Sequence, residues 1–313
     1  AFSGIVGFRP TPGLVPSDKR GLGWSGLPVL GPMARTVADT ALMLGSIASD
    51  DASDPLATTV HGATVRRAGD FTPVPAVDLS RVRAALTPDF GFAPTETQMR
   101  DTFAEKTGLF RHVFARAEDT TPDCSGTDET FEILRALAFL SAHKEKVEKT
   151  PDQVGPNVRA NVAEGLGYSA ADVARAMTVQ TTLYRRWQGF FRDFDVILTP
   201  AITVSPRSWR ELYPAEIDGK PTRTYFHWLA MAYAVTVVGH PAISLPVGLD
   251  RNGMPFGLQI VGPRGGDALV LSVAAALEAM LAGDPRTARP VPDIAKLRAA
   301  PRLSDSPGFL GFD

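Results

Sequence analysis

Gly21-Leu22-Gly23-Trp24-Ser25-Gly26 has the glycine spacing that lets a backbone approach a dinucleotide pyrophosphate. That chemistry depends on context, because the glycines must follow a strand and open a helix whose N-terminus meets the phosphates. Here Ser17-Asp18-Lys19-Arg20 precedes them and Leu27-Pro28-Val29-Leu30-Gly31-Pro32 follows, so neither flank fits and no cofactor is expected. The five histidines, His61, His112, His143, His227 and His240, lack the short spacing of a zinc site, and a single cysteine builds no thiolate cluster, so no metal is expected. No Gly-x-Ser-x-Gly elbow is present, since Leu27 stands where its last glycine would be needed. Cys124 lies in the turn-like stretch Pro122 to Gly126 with no base beside it, which predicts a structural thiol and not a nucleophile. Local motifs therefore supply no catalytic apparatus.

The elements that would position any site alternate between strands and helices. Apolar runs predict strands at Ile5 to Phe8, Val82 to Leu86, Asp195 to Pro200, Ala242 to Leu245 and Phe256 to Val261. Thr36 with Asp39 has capping-box form and opens a helix with Val37, Ala38, Ala41, Leu42 and Leu44 on its apolar face. Thr95 with Gln98 opens a second, carrying Met99, Phe103 and Phe110. A third is predicted from Thr127 to Lys146 with Phe131, Leu134 and Ala138 inward. A fourth starts at Ser169-Ala-Ala-Asp172 and carries Val173, Met177, Gln180, Tyr184, Trp187 and Phe191. A last one is capped by Asp267, carries Leu269, Val273, Ala276, Leu277 and Met280 inward, and stops at Gly283. Residues 50–75 and 151–167 read as irregular loops. Strands separated by long helices imply an α/β fold with helices on both faces of a mixed central sheet, an α/β/α layering.

Composition narrows the function further. Lys and Arg number 32 against 34 Asp and Glu, so the net charge of -2 lacks the basic excess of a nucleic-acid binder and no nucleic-acid partner is expected. The longest apolar run, 228–238, falls well short of the roughly 20 residues of a bilayer span, so no membrane association is expected. A chain unable to form an internal disulfide and opening with no signal-peptide pattern suits a cytoplasmic location.

Several blocks, in order, carry a resemblance. Ala1-Phe-Ser-Gly-Ile-Val-Gly-Phe-Arg9-Pro10-Thr11 and Gly31-Pro-Met-Ala-Arg-Thr-Val-Ala-Asp39 resemble the downstream half of the amidase signature, with Ser3 where cysteine is common. Asp195-Val-Ile-Leu-Thr-Pro200, Gly239-His-Pro-Ala-Ile-Ser-Leu-Pro-Val-Gly248 and Gly253-Met-Pro-Phe-Gly-Leu-Gln-Ile-Val-Gly262 resemble the family's closing strands. Val82 to Gly91 and Tyr184 to Phe194 match more weakly between them, so the likeness runs from residue 1 to about 282. Each block also reads as a tight loop, a capped helix or a punctuated strand end, but those readings leave the shared order unexplained.

The resemblance implies an amidase-type fold, read as one domain fragment over 1–313. Residues 1–60 form a signature remnant and helix, 61–194 a mostly helical region, and 195–313 the closing strands and last helix. It implies hydrolysis of a small carboxylic amide, with an apolar or aryl acyl group, to an acid and ammonia or an amine. By the resemblance the two serines and the lysine that do this chemistry are expected upstream of Ala1, and none of Ser3, Ser25 or Lys19 replaces them. The missing N-terminal segment of the same protein is thus an expected partner, and the chain alone is expected to be inactive. Tyr225, Trp228 and Trp209, in the region where family members differ most, and Thr199 on the strand before them, are the expected substrate-binding residues. Packing in the core or at a homo-oligomer contact is the competing reading for the aromatics. Two other functions compete: the amidase-like component of a tRNA-dependent amidotransferase, and a non-catalytic module of the same fold.

Overall fold

The computed structural model describes residues 1–57, 59–60, 63–64 and 68–305; His61 lies outside them. Seven strands form one sheet: β1 (Val6–Arg9), β2 (Met33–Ala34), β3 (Arg83–Leu86), β4 (Arg116–Asp119), β5 (Val196–Pro200), β6 (Ala242–Leu249) and β7 (Pro255–Val261). Their order across the sheet is β2-β1-β6-β7-β5-β3-β4. β3 runs parallel to both β4 and β5, and the other pairings are antiparallel, so the sheet is mixed as expected. The expected core strands β6 and β7 are neighbours, with Ile243 opposite Ile260.

Every residue of β5 is buried, as are Phe256 to Val261 of β7, because helices cover the sheet on both sides. One face is wholly apolar: Val6, Phe8, Leu198, Ile243, Leu245, Leu258 and Ile260 pack on α1 (Val37–Ile47), α2 (Thr97–Phe110) and α7 (Asp267–Leu281). The other face meets α3 (Thr127–Lys149), α5 (Ala170–Phe190) and α6 (Ala230–Val238) through Ala85, Ile197, Ala242 and Val261. α6 is apolar all round and buried on most of its surface, as expected for a helix between a sheet and two others. It stops at Gly239, whose φ of 67° a side chain would resist.

Helix starts follow the expected chemistry with shifts of a residue or two. Thr36 Oγ1 accepts from Asp39 N at 3.1 Å, and Ser169 with Asp172 forms a complete reciprocal capping box. The cap of α2 is Glu96, not Thr95, and the cap of α7 is Gly266, not Asp267. Asp267 instead turns its buried carboxylate to Thr11, whose N and Oγ1 donate at 2.8 and 2.7 Å.

Three expectations are corrected. Residues 156–167, expected as loop, form α4 (Pro156–Gly167), with Pro156 in the first turn, where its missing N–H costs nothing. β4 has no counterpart among the expected strands, because a charged edge strand with mostly exposed side chains carries no apolar run. Met177, Met280 and Leu42, placed inward by periodicity, are exposed.

Phe8 N donates to Pro32 O at 3.0 Å, folding the 10–32 loop back beside β1. A Cβ on Gly31 would stand 1.9 Å from Phe8 O, so only glycine permits that approach. Gly31→Ala should therefore destabilise the protein by about 1–3 kcal/mol. Gly7→Ala, whose Cβ would meet only Met33 Cγ at 3.7 Å, should stay near wild type in the same denaturant titration.

His240 joins α6 to β6, and no part of it reaches solvent. Its Nδ1 lies 2.9 Å from Gly262 O and its Nε2 3.4 Å from Gln188 Nε2, while the rings of Tyr184, Trp187 and Phe191 surround it. Burial pushes its pKa down to about 4; the Gly262 hydrogen bond opposes the drop and the Arg264 charge adds to it. In the unfolded chain the imidazole titrates near 6.5, so the folded value is depressed. Stability from this residue is then complete above about pH 6.5 and is lost as pH falls toward 4, by about 3 kcal/mol. His240→Asn should flatten that part of the stability–pH curve; equal slopes in variant and wild type would rule the effect out.

Candidate functional site

Side chains alternate across a strand, so one cross-sheet row holds Gly7, Ser244, Gln259 and Thr199, paired in register over four adjacent strands. The next row on the same face, Ala242, Val261 and Ile197, is apolar and packs in the α3/α5/α6 layer. The first row departs from that pattern. Thr199 Oγ1 and Ser244 Oγ are both buried without a hydrogen-bond partner among the described residues. Gln259 is held by its Nε2, which donates to Met231 O of α6 at 3.2 Å. Leaving a buried hydroxyl unpaired costs about 1–3 kcal/mol, so two in one row mark a place where the sheet is built for something besides stability.

A cleft of about 370 Å³ opens over this row. Ser244, Gln259 and Gly7 form its floor, Val235 and Thr236 of α6 one wall, and Arg9 a further side. Arg9 is half-buried and donates from its guanidinium to Leu27 O at 3.1 Å and Gly26 O at 3.0 Å; desolvation lowers its pKa to about 10. It keeps its charge at neutral pH, holds the glycine-rich loop and makes the cleft electropositive. Among the described residues the lining contains no histidine, lysine, cysteine or carboxylate, so no base stands ready to activate Ser244. What the cleft can do is seat a small neutral polar group over an apolar wall.

The four residues expected to bind substrate are not gathered in one place. Thr199 belongs to the polar row, one strand beyond Gln259. Trp228 is half-buried, stacks on Phe2 at 5.9 Å, and donates from its indole to Tyr225 O at 2.9 Å. Phe2 follows Ala1, which lines the cleft, but Trp228 does not line it and packs with Phe2 against the α1/α2/α7 core. The Tyr225 hydroxyl is taken by Arg135 and Asn161, in a cluster with Phe226 and Phe139 around the Arg135 guanidinium. Trp209 sits on an exposed loop with Arg210 over its ring at 5.2 Å. Cys124 is buried and its thiol is pushed up to about 12 by desolvation, as a structural thiol should be. The glycine motif at 21–26 lies in a turn-rich loop between no strand and helix. Ser244 and Gln259 are absent from the residues expected on sequence grounds, although one polar residue inside each of two apolar strands is a readable signal.

Comparison with known proteins gives one consistent family. The family model described as Amidase matches residues 1–271. An acylamidase of Rhodococcus erythropolis is 28% identical over 286 residues, covering 90% of this chain and 58% of that protein. A glutamyl-tRNA(Gln) amidotransferase component of Streptococcus pneumoniae is 28% identical over 304 residues, covering 89% of this chain and 60% of that protein. Among solved structures, a bacterial aryl acylamidase of the amidase-signature family superposes with a TM-score of 0.76 at 22% identity, covering 91% of this chain and 59% of that one. A 6-aminohexanoate cyclic dimer hydrolase superposes with a TM-score of 0.73 at 21% identity, covering 90% of this chain and 61% of that one. The chain thus spans about three-fifths of the length of these relatives. With the signature blocks, the layered sheet and the family model all agreeing over most of its length, the chain belongs to the amidase family, whose members carry the amidase signature.

Proposed function

We propose that the protein is an amidase that hydrolyses a small carboxylic amide, with an apolar or aryl acyl group, to the acid and ammonia or an amine. The observation that carries this reading is the cleft itself: an apolar wall over a buried row of unpaired hydroxyls, on the sheet of an amidase fold. An amide needs hydrogen-bond partners for its carbonyl and N–H while its acyl group needs apolar surface, and the floor and wall offer both. In this reading Ser244, Gln259 and Thr199 orient the amide, and Trp228 influences its acyl side indirectly, through Phe2 and Ala1.

Bond cleavage is assigned to residues outside the 313. A serine hydroxyl attacks only when a base takes its proton, and a lysine serves as base only if burial holds it neutral. Neither arrangement occurs among the residues lining the cleft. The likeness to the glutamyl-tRNA(Gln) amidotransferase component supports a second reading, in which ammonia from the amide is passed on rather than released. Ammonia transfer in the presence of partner proteins, against free release without them, separates the two.

The 313-residue chain alone should turn over simple amides at a rate lower than that of the longer parent by a factor on the order of 10⁶. Turnover by a clean preparation of the chain, abolished by a serine-reactive inhibitor, would count against the assignment.

Ser244→Ala gives a sharper test in the parent. Because its hydroxyl has no partner among the described residues, removing it should leave the melting temperature unchanged or slightly raised. If the hydroxyl meets the amide, kcat/KM should fall by roughly threefold to tenfold, the worth of one neutral hydrogen bond. Trp228→Ala should instead alter relative kcat/KM among acyl groups of different size, by about 1–3 kcal/mol. Uniform loss on all amides with early melting would make Trp228 a core residue.

A further inference from the structure

Thr236 of α6 borders two clefts. Past it, on the side away from the polar row, lies a second space of about 240 Å³, and Trp24, Tyr184 and Arg264 are the side chains that give it character. It is smaller than the roughly 300–1,000 Å³ of pockets for drug-sized ligands, so its occupant is a small molecule.

Trp24 is 81% exposed, yet the loop that carries it is firmly held. Arg9 bonds Gly26 O and Leu27 O on one side, and Arg20 bonds Ser25 O and pairs with the buried Asp54 on the other. An indole held out into solvent on a braced loop is presented, and its Nε1 has no partner among the described residues. Arg264 is exposed, with its guanidinium carbon 5.9 Å from the centre of the Tyr184 ring, and no carboxylate pairs with it among the described residues. The C-terminus of α6, which also borders the space, does not occupy that charge. The Val235 and Thr236 carbonyls accept from Gly239 N, and the Val237 carbonyl accepts from Gln180 Nε2. The cleft therefore combines a guanidinium that no carboxylate pairs with among the described residues, the Trp24 and Tyr184 rings, and apolar walls from Pro12 and Leu56.

We infer that this second cleft binds an arene carboxylate, its ring against Trp24 and Tyr184 and its carboxylate on the Arg264 fork. One guanidinium without converging backbone N–H groups suits a monoanion, whereas a phosphate calls for several donors. The consequence, though not the binding, rests on the proposed function: hydrolysis of an aryl-acyl amide releases an arene carboxylate, so the cleft would hold product one residue away from where it forms.

The test uses the 313-residue chain and sodium benzoate at constant ionic strength, and reads the indole N–H resonance of Trp24, assigned by its loss in Trp24→Phe. A saturable shift is expected at Trp24 and not at Trp209. Arg264→Gln should weaken binding by about tenfold or more, and Arg264→Lys by less, since the charge remains but the fork is lost. Circular dichroism should show both variants folded, because Arg264 makes no ion pair among the described residues that the fold depends on. An unmoved Trp24 resonance, equal affinity in Arg264→Gln, or an equal response to uncharged benzyl alcohol overturns the inference. The readout needs no turnover, so failure here leaves the amidase reading standing, and failure of amidase activity leaves this binding result standing.

Discussion

Everything in this molecule depends on one strand being enclosed on four sides. β6 is paired with β1 along one edge and β7 along the other, and helices cover both of its faces. Its pairing with β1 joins residues 7–9 to residues 242–244, so two distant stretches of the chain meet at the centre of the sheet. Such a non-local pairing closes a very long loop before it returns any energy, which makes the central sheet slow to form and cooperative once formed. The interior position also fixes what β6 can carry. A side chain there must be apolar, or find a partner, or leave a cost standing.

That constraint separates the two faces of the sheet. On the α1/α2/α7 side the rule is obeyed throughout, and the face is a plain core of aliphatic and aromatic side chains. On the α3/α5/α6 side it is broken in the row of Ser244, Gln259 and Thr199, and the cleft lies over that row. The charges nearby are placed to support loops more than to neutralise one another. Arg9 satisfies backbone carbonyls and not a carboxylate, and Asp267 directs its carboxylate to Thr11. Both anchor the 10–32 loop, one from each side, and that loop borders both clefts. Rigid loops on a cooperative sheet are what precise positioning of a small ligand requires.

Much of this is legible in residue patterns, and the failures have physical reasons. The buried strands expected at 195–200, 242–245 and 256–261 are present, the second running on to Leu249, because two-sided burial demands mostly apolar runs. The capped helices follow from Thr36 and from Ser169 with Asp172, since their side chains satisfy donors that a helix start leaves open. Helix α4 escapes detection because its turns are held by α3 and not by a strong apolar stripe: only Asn161, Val162 and Gly165 are buried. Pro156, which resembles a breaker, is a helix starter in the first turn. β4 escapes because an exposed edge is where charge is favoured over apolar surface. Thr199, expected from the resemblance, lies in the polar row, whereas Ser244 and Gln259 beside it are not among the expected residues. Their meaning lies in the cross-strand register, which no single strand's sequence contains. The aromatic segment divides: Tyr225 and Trp228 are close in sequence, yet one serves the Arg135 cluster and the other packs on Phe2.

The two amide chemistries suggested by the relatives make the same demand on this part of the fold. Release and transfer of ammonia both begin with an amide carbonyl held still over a nucleophile, and differ only in where the ammonia then goes. Orientation is worth much of the rate in such reactions, because it replaces a bimolecular encounter by a fixed approach. A floor of fixed hydroxyls and a side-chain amide anchored to Met231 can orient a carbonyl whatever follows. Within the enclosed row Gln259 cannot be replaced by an apolar residue without losing the donor to the Met231 carbonyl, whereas Thr236 and the 10–32 loop at the rim can change because solvent satisfies whatever they expose.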